Sequence, residues 1–164
     1  MSSTENYVAN AERYAASFDK GDLPLPPAKG TAVVACMDAR LNPYGVIGLS
    51  EGESHVIRNA GGVVTEDVIR SLAISQRLLG TTEIILIHHT GCGMLTFHDD
   101  EVKAQIEADT GIRPPFALEA FGDLDGDVRQ SIARIKASPF VPNKGSIRGF
   151  VYEVETGRLR EVKE

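Results

Sequence analysis

The chain has no tryptophan, and Cys36 and Cys92 are its only cysteines. Two cysteines cannot build a four-thiolate structural zinc site within one chain, and they allow at most one disulfide. Long apolar runs are missing as well. Nothing approaches the ~20 consecutive apolar residues that a bilayer-spanning helix requires. The opening MSSTENYVANAERYAASFDK has no continuous apolar stretch of the kind a secretory signal carries. The expected location is therefore the cytoplasm, whose reducing conditions favour thiol or metal chemistry over a disulfide. Positive charge is short too. With 17 Lys and Arg against 23 Asp and Glu, the net charge is -6, which argues against a nucleic-acid or anionic-membrane partner.

What is present suits an ordinary globular protein. Apolar residues make up 42% and charged residues 24% of 164 residues, enough for one substantial core. We expect a single domain over 1–164, with 1–28 forming an N-terminal helix and a Pro-rich arm. Residues 6–17 place Tyr7, Val8, Ala11, Tyr14 and Ala15 on one stripe of a helix. Pro24, Pro26 and Pro27 then exclude regular structure. A helix on so stiff a tether packs either on a partner subunit or back on its own domain.

Beyond the arm, strand and helix patterns alternate. Thr31–Cys36, 54–57 and 83–88 read as buried strands, and 66–79, 99–108 and 127–137 as helices. A strand over 147–154 turns through Glu155-Thr156-Gly157 into 158–162. The expected fold class is α/β, a mostly parallel central sheet with flanking helices and an antiparallel C-terminal edge hairpin. Asp123, Asp125 and Asp127 resemble a calcium loop only superficially, because the glycine and closing glutamate are misplaced; helix capping by an aspartate explains them better.

The chemistry gathers at strand ends. Cys36 closes the first strand, and His89 and Cys92 follow the third. Ligands of open parallel sheets bind at these C-terminal ends, where neighbouring crossovers diverge. A lone strand cysteine is usually a small buried hydrophobe. Here both cysteines fall at matching ends beside a histidine, and two thiolates with one imidazole supply three of the four ligands of a tetrahedral zinc. Asp38 and Arg40, two residues apart, project to the same side of an extended segment. They can pin a loop as a charge pair, or act on the metal site, with Arg40 keeping Asp38 ionised and aimed. Ala60, Gly61 and Gly62 follow the second strand and are candidates for the substrate pocket, since glycine permits close backbone approach. Gly91-Cys92-Gly93 is not a dinucleotide fingerprint, because Thr96 stands at the third glycine position.

Cys36-Met37-Asp38-Ala39-Arg40 and His89-Thr90-Gly91-Cys92 resemble the Cys-x-Asp-x-Arg and His-x-x-Cys motifs of β-carbonic anhydrases. The resemblance runs through IRNAGGVVTEDVIRSLAISQRLLGT and HHTGCGML to RGFVYEVETGRL, and it points to the short bacterial subgroup that includes mycobacterial enzymes. It implies a Zn2+ cofactor on Cys36, His89 and Cys92, with Asp38 as a fourth ligand in a closed state only. It also implies reversible hydration of carbon dioxide to bicarbonate and a proton by zinc-hydroxide attack, with Asp38 and Arg40 in catalytic roles. The implied assembly is a homodimer, or a multiple of one, in which the N-terminal helix embraces the partner. Two departures limit the transfer. The first Gln is Gln76, so the upstream substrate Gln of plant-type members is missing, and without Trp the bicarbonate effector pocket of some bacterial members does not carry over.

Rival readings remain at this level. Carbonyl sulfide and carbon disulfide hydrolases resemble the same subgroup, down to the HT-x-CGML segment. A non-catalytic zinc-binding module would have no use for the Asp38–Arg40 pair. A dithiol redox protein would carry a Cys-x-x-Cys pair, which is absent here. His55, His88 and His98 are candidate proton shuttles.

Overall fold

The computed structural model describes residues 2–163; Met1 and Glu164, the ends of the expected domain, lie outside the described residues. The strands are β1 (Thr31–Cys36), β2 (Ser54–Asn59), β3 (Glu83–His89), β4 (Ser146–Tyr152) and β5 (Leu159–Val162). The helices are α1 (Ser3–Ala16), α2 (Pro43–Ile47), α3 (Glu66–Arg77), α4 (Asp99–Thr110) and α5 (Leu124–Ala137).

The apolar run Thr31–Cys36 can only be buried on both faces, and β1 is accordingly an interior strand. Ala32, Val33, Val34 and Ala35 are fully buried. The sheet order is β2-β1-β3-β4-β5; the first four strands are parallel and β5 is antiparallel to β4. This is the expected mostly parallel α/β sheet with its antiparallel edge.

Period-two alternation divides the core between the two faces of the sheet. Val34, Leu86 and Ile84 pack with Val68 and Leu72 of α3 and with Val128, Ile132 and Ile135 of α5. On the other face Val33, Ala35 and Ile87 pack with Leu41, Cys36, Cys92 and Met94. Each fully buried Leu, Ile or Val contributes about 1.5–3 kcal/mol, so this second cluster gives the loops around the two cysteines a rigid floor.

Element ends follow their caps. Ser2 and Glu5 form a reciprocal capping box, which starts α1 at Ser3 rather than residue 6. Thr65 caps α3 by accepting from the Val68 N–H, as Asp123 caps α5 from Gly126. The other two aspartates of that stretch have their own partners: Asp125 pairs with Arg160 and Asp127 with His88. The strand expected over 147–154 ends at Tyr152, because the Val154 N–H turns away to the Thr90 hydroxyl. α1 has no buried residue and leaves Tyr7, Val8 and Tyr14 exposed. Among the described residues no helix is long and apolar enough to cross a membrane.

Candidate metal centre

The chain leaves β1 for β2 on one side and returns across it to β3 on the other. The ends of β1 and β3 therefore flank the point where the crossovers diverge. Cys36 is the last residue of β1 and His89 the last of β3. Cys92 returns to them through a turn in which Gly91 takes φ 59. All three are buried, and their donor atoms lie within 4.8 Å of one another.

The atoms present fit a metal ion. Two thiolates bound to one tetrahedral zinc at about 2.3 Å would sit about 3.8 Å apart; the two Sγ atoms are 4.0 Å apart. His89 donates its Nδ1 proton to the Thr90 carbonyl at 2.8 Å, leaving the lone pair on Nε2. That Nε2 is buried and has no hydrogen-bond partner. A buried acceptor bare of hydrogen bonds beside two thiols is a donor set that a cation would satisfy. Sulfur and imidazole donors in this number select zinc over the hard cations.

Proton affinities divide across the site. The Sγ–Sγ hydrogen bond lowers the Cys36 pKa and raises that of Cys92. His89 and the backbone N–H groups of Asp38 and Gly61 also favour the Cys36 thiolate, while burial pushes Cys92 further up. Burial opposes a charged His89, but the neighbouring Cys36 thiolate and the Thr90 carbonyl outweigh it, and its pKa is raised.

Asp38 and Arg40 form the expected pair in bidentate form. Arg40 Nε and Nη2 donate to Oδ1 and Oδ2 at 3.0 and 2.9 Å, and the Arg40 N–H adds a third bond at 2.8 Å. Arg40 Nη2 also reaches the Gly91 carbonyl at 2.9 Å, tying the two site loops together. The Arg40 hydrogen bonds hold the Asp38 carboxyl well below the usual carboxylate range. Asp38 Oδ2 stands 3.6 Å from the bare His89 Nε2, so the carboxylate faces the metal position while staying paired.

Gly61 and Gly62 form a tight turn after β2, and Ala60 packs on the site-side core. A Cβ at Gly62 would stand 2.9 Å from the Cys36 backbone N, and one at Gly61 would stand 2.9 Å from Met94 Cγ. The turn is thus the wall against which the first cysteine rests. Thr90 was not singled out by sequence reasoning. Besides its carbonyl on His89, its hydroxyl donates to Glu155 at 2.8 Å and accepts from the Val154 N–H at 3.0 Å, anchoring the His89 end to the C-terminal hairpin. Its place inside the His-x-x-Cys motif was the available signal. Of the three candidate shuttles, His88 is fully buried against Asp127 and His55 sits at the start of β2, away from the site, bonded to Ser75. His98 is exposed at the head of α4.

Residues 31–114 match the family described as carbonic anhydrase. Beta-carbonic anhydrase 1 of Mycobacterium tuberculosis is 61% identical, with 99% of both chains covered. A carbon disulfide hydrolase of Saccharolobus solfataricus is 34% identical, covering 84% of this chain and 79% of its own. The crystal structure of carbonic anhydrase from Streptococcus mutans superposes with a TM-score of 0.92 at 42% identity, covering 99% of each chain. A site of two cysteines and one histidine at the ends of β1 and β3, in a chain this similar throughout, settles the family: the protein is a member of the carbonic anhydrases, in their β class.

Proposed function

We propose that the protein is a zinc-dependent carbonate dehydratase, interconverting carbon dioxide and water with bicarbonate and a proton. The observation that carries this reading is the buried, unpartnered His89 Nε2 facing two thiols, with a paired carboxylate 3.6 Å away. Cys36, His89 and Cys92 would hold the zinc. When bound, zinc supplies the acidity that makes a hydroxide nucleophile available near neutral pH.

The protein's own groups do the rest. Asp38 accepts a hydrogen bond from the nucleophile and so directs a lone pair toward the substrate carbon. Arg40 keeps that carboxylate charged and draws it away from the metal position; released from Arg40, Asp38 would be the residue to hold the zinc's fourth position in a closed state. Ala60, Gly61 and Gly62 would form the substrate-side wall, the two glycines letting the turn after β2 lie directly against the Cys36 backbone and Met94. The apolar floor of Val33, Ala35, Ile87 and Met94 beneath the site suits a nonpolar substrate.

The assembly we propose is a homodimer or a multiple of it. α1 supports this reading, because it has no buried residue and carries three exposed large apolar side chains, an apolar stripe that a lone chain leaves uncovered. A single domain in the cytoplasm, with neither cysteine in a disulfide and both available to the metal, completes the reading.

Stopped-flow hydration of carbon dioxide by zinc-loaded protein tests the activity, with carbonyl sulfide and carbon disulfide run in parallel. Hydration far above the buffer rate, exceeding turnover of either sulfur compound, is expected. Hydrolysis of carbon disulfide without hydration would instead assign the chain the activity named for its 34% identical relatives.

A further inference from the structure

Arg58 lies outside every role assigned so far. It is the fifth residue of β2, and the register sets it beside Ala35, with Asn59 opposite Cys36. Among the described residues its guanidinium reaches no carboxylate. Nε and Nη2 both donate to the Cys36 carbonyl, at 2.9 and 2.7 Å. Nη2 also meets the carbonyls of Asp38 at 2.9 Å and Leu41 at 2.8 Å.

Three carbonyls of one six-residue segment thus converge on one planar cation. That segment carries Cys36, Asp38 and Arg40. It leaves the sheet after the Met37 N–H bonds the Asn59 carbonyl at 2.8 Å, and it closes a turn in which the Leu41 N–H bonds the Asp38 carbonyl at 3.0 Å. A turn held only by that last bond would pivot about Asp38. With Arg58 gripping the carbonyl on each side of the pivot and at the pivot itself, the peptide planes are fixed. The Asp38 side chain is then left with one direction in which to meet Arg40 and the metal position. Arg40 and Arg58 divide the work: one holds the carboxylate, the other the backbone beneath it.

We propose that Arg58 is a positioning residue for the hydration site, setting the turn that aims Asp38 and seats Cys36; this rests on the carbonic anhydrase reading given above. The guanidinium reaches one bond further than a lysine ammonium and adds the Nε bond that clamps the Cys36 carbonyl in the plane of the fork, a second contact that the single nitrogen of a lysine cannot make.

The test compares zinc-loaded wild type with Arg58→Ala, Arg58→Lys and the double variant Arg58→Ala/Asp38→Asn. Three readouts are taken: hydration rate, zinc affinity by chelator competition, and rescue of Arg58→Ala by millimolar guanidinium ion. Partners that orient a metal site typically matter by about 10- to 100-fold in affinity or activity, and Arg58→Ala is expected to lose turnover and zinc affinity in that range. Guanidinium should restore part of the turnover, Arg58→Lys should restore little, and in the Asp38→Asn background removal of Arg58 should cost turnover no further. If Arg58→Ala does not fold, Arg58→Gln keeps the stem and an amide donor and carries the same comparisons. Wild-type rate and zinc affinity in the variant would overturn the proposal. So would a loss of equal size with and without the Asp38 carboxylate that guanidinium leaves untouched. An inactive wild type would sink the functional reading alone, because zinc affinity still decides whether Arg58 seats Cys36.

Discussion

Replacing Gly62 by alanine tests the wall behind the metal centre. Gly62 has φ 67, and a Cβ there would lie 2.9 Å from the Cys36 N, 3.1 Å from the Ala35 C and 3.3 Å from the Ile87 O. All three are main-chain atoms of the central strands, so none can swing aside. The left-handed backbone costs an alanine about 1–2 kcal/mol, and forcing a methyl into a packed site costs about 1–3 kcal/mol more. The expected loss is their sum, roughly 2–5 kcal/mol. Gly48 provides the control: it also has φ 67, but a Cβ there meets nothing within 4 Å. Gly48→Ala should therefore cost only the backbone part, roughly 1–2 kcal/mol. Denaturant unfolding of both variants measures the difference. Chelator competition on the folded proteins should show weakened zinc binding in Gly62→Ala alone, because relief of the clash displaces Cys36. Equal losses in the two variants, or unchanged zinc affinity in Gly62→Ala, would refute the claim that the turn seats the first cysteine.

Cys36→Ser should lower zinc content by more than tenfold at equal protein, since a serine oxygen is a poor substitute for thiolate; full occupancy by metal analysis would remove Cys36 from the site. Asp38→Asn and Arg40→Ala should both keep their zinc while hydration falls sharply. Their pH profiles should differ. Asp38 is held well below the ordinary carboxylate value by Arg40. The pair's contribution is therefore complete above about pH 3.9 and is lost only as pH falls through the lowered value. Arg40→Ala frees the carboxylate to rise toward its ordinary pKa and to occupy the metal, so the activity rise moves to higher pH. Asp38→Asn abolishes that shift, and the double variant should match Asp38→Asn. Wild-type rates and profiles in both single variants would reduce the pair to a loop pin. Deleting residues 1–20 should lower the mass seen by light scattering from dimer toward monomer; an unchanged mass and stability would make α1 peripheral.

Much of this site was legible because its chemistry sits where strand patterns end. TAVVAC and EIILIH are apolar enough to demand interior parallel strands, and the two cysteines and His89 lie at or just beyond their ends, so convergence followed from topology. The Asp38–Arg40 pair followed from spacing. What resisted reading depends on backbone partners that side-chain patterns do not encode. Arg58 looks like any polar residue in a strand, and its three carbonyls appear only when β2 lies beside β1. The α2 helix went unread because Pro43–Ile47 is too short to show a period. The loop after α4 is ordered by Asp99, whose carboxylate accepts from the N–H groups of Leu118, Glu119 and Ala120 and holds Glu119 at φ 65. No local signal ties residue 99 to 119. His88 and His89 are neighbours in sequence, yet strand alternation sends one to Asp127 and leaves the other bare at the metal position.

Zinc held by Cys36, His89 and Cys92 is expected to make the protein interconvert carbon dioxide and bicarbonate. Loss of 18O from labelled bicarbonate at equilibrium, followed by membrane-inlet mass spectrometry, measures that interconversion directly. Zinc-loaded protein should deplete the label far faster than buffer, and Cys92→Ser should return the rate to background. Background depletion by wild type carrying one zinc per chain would contradict the account.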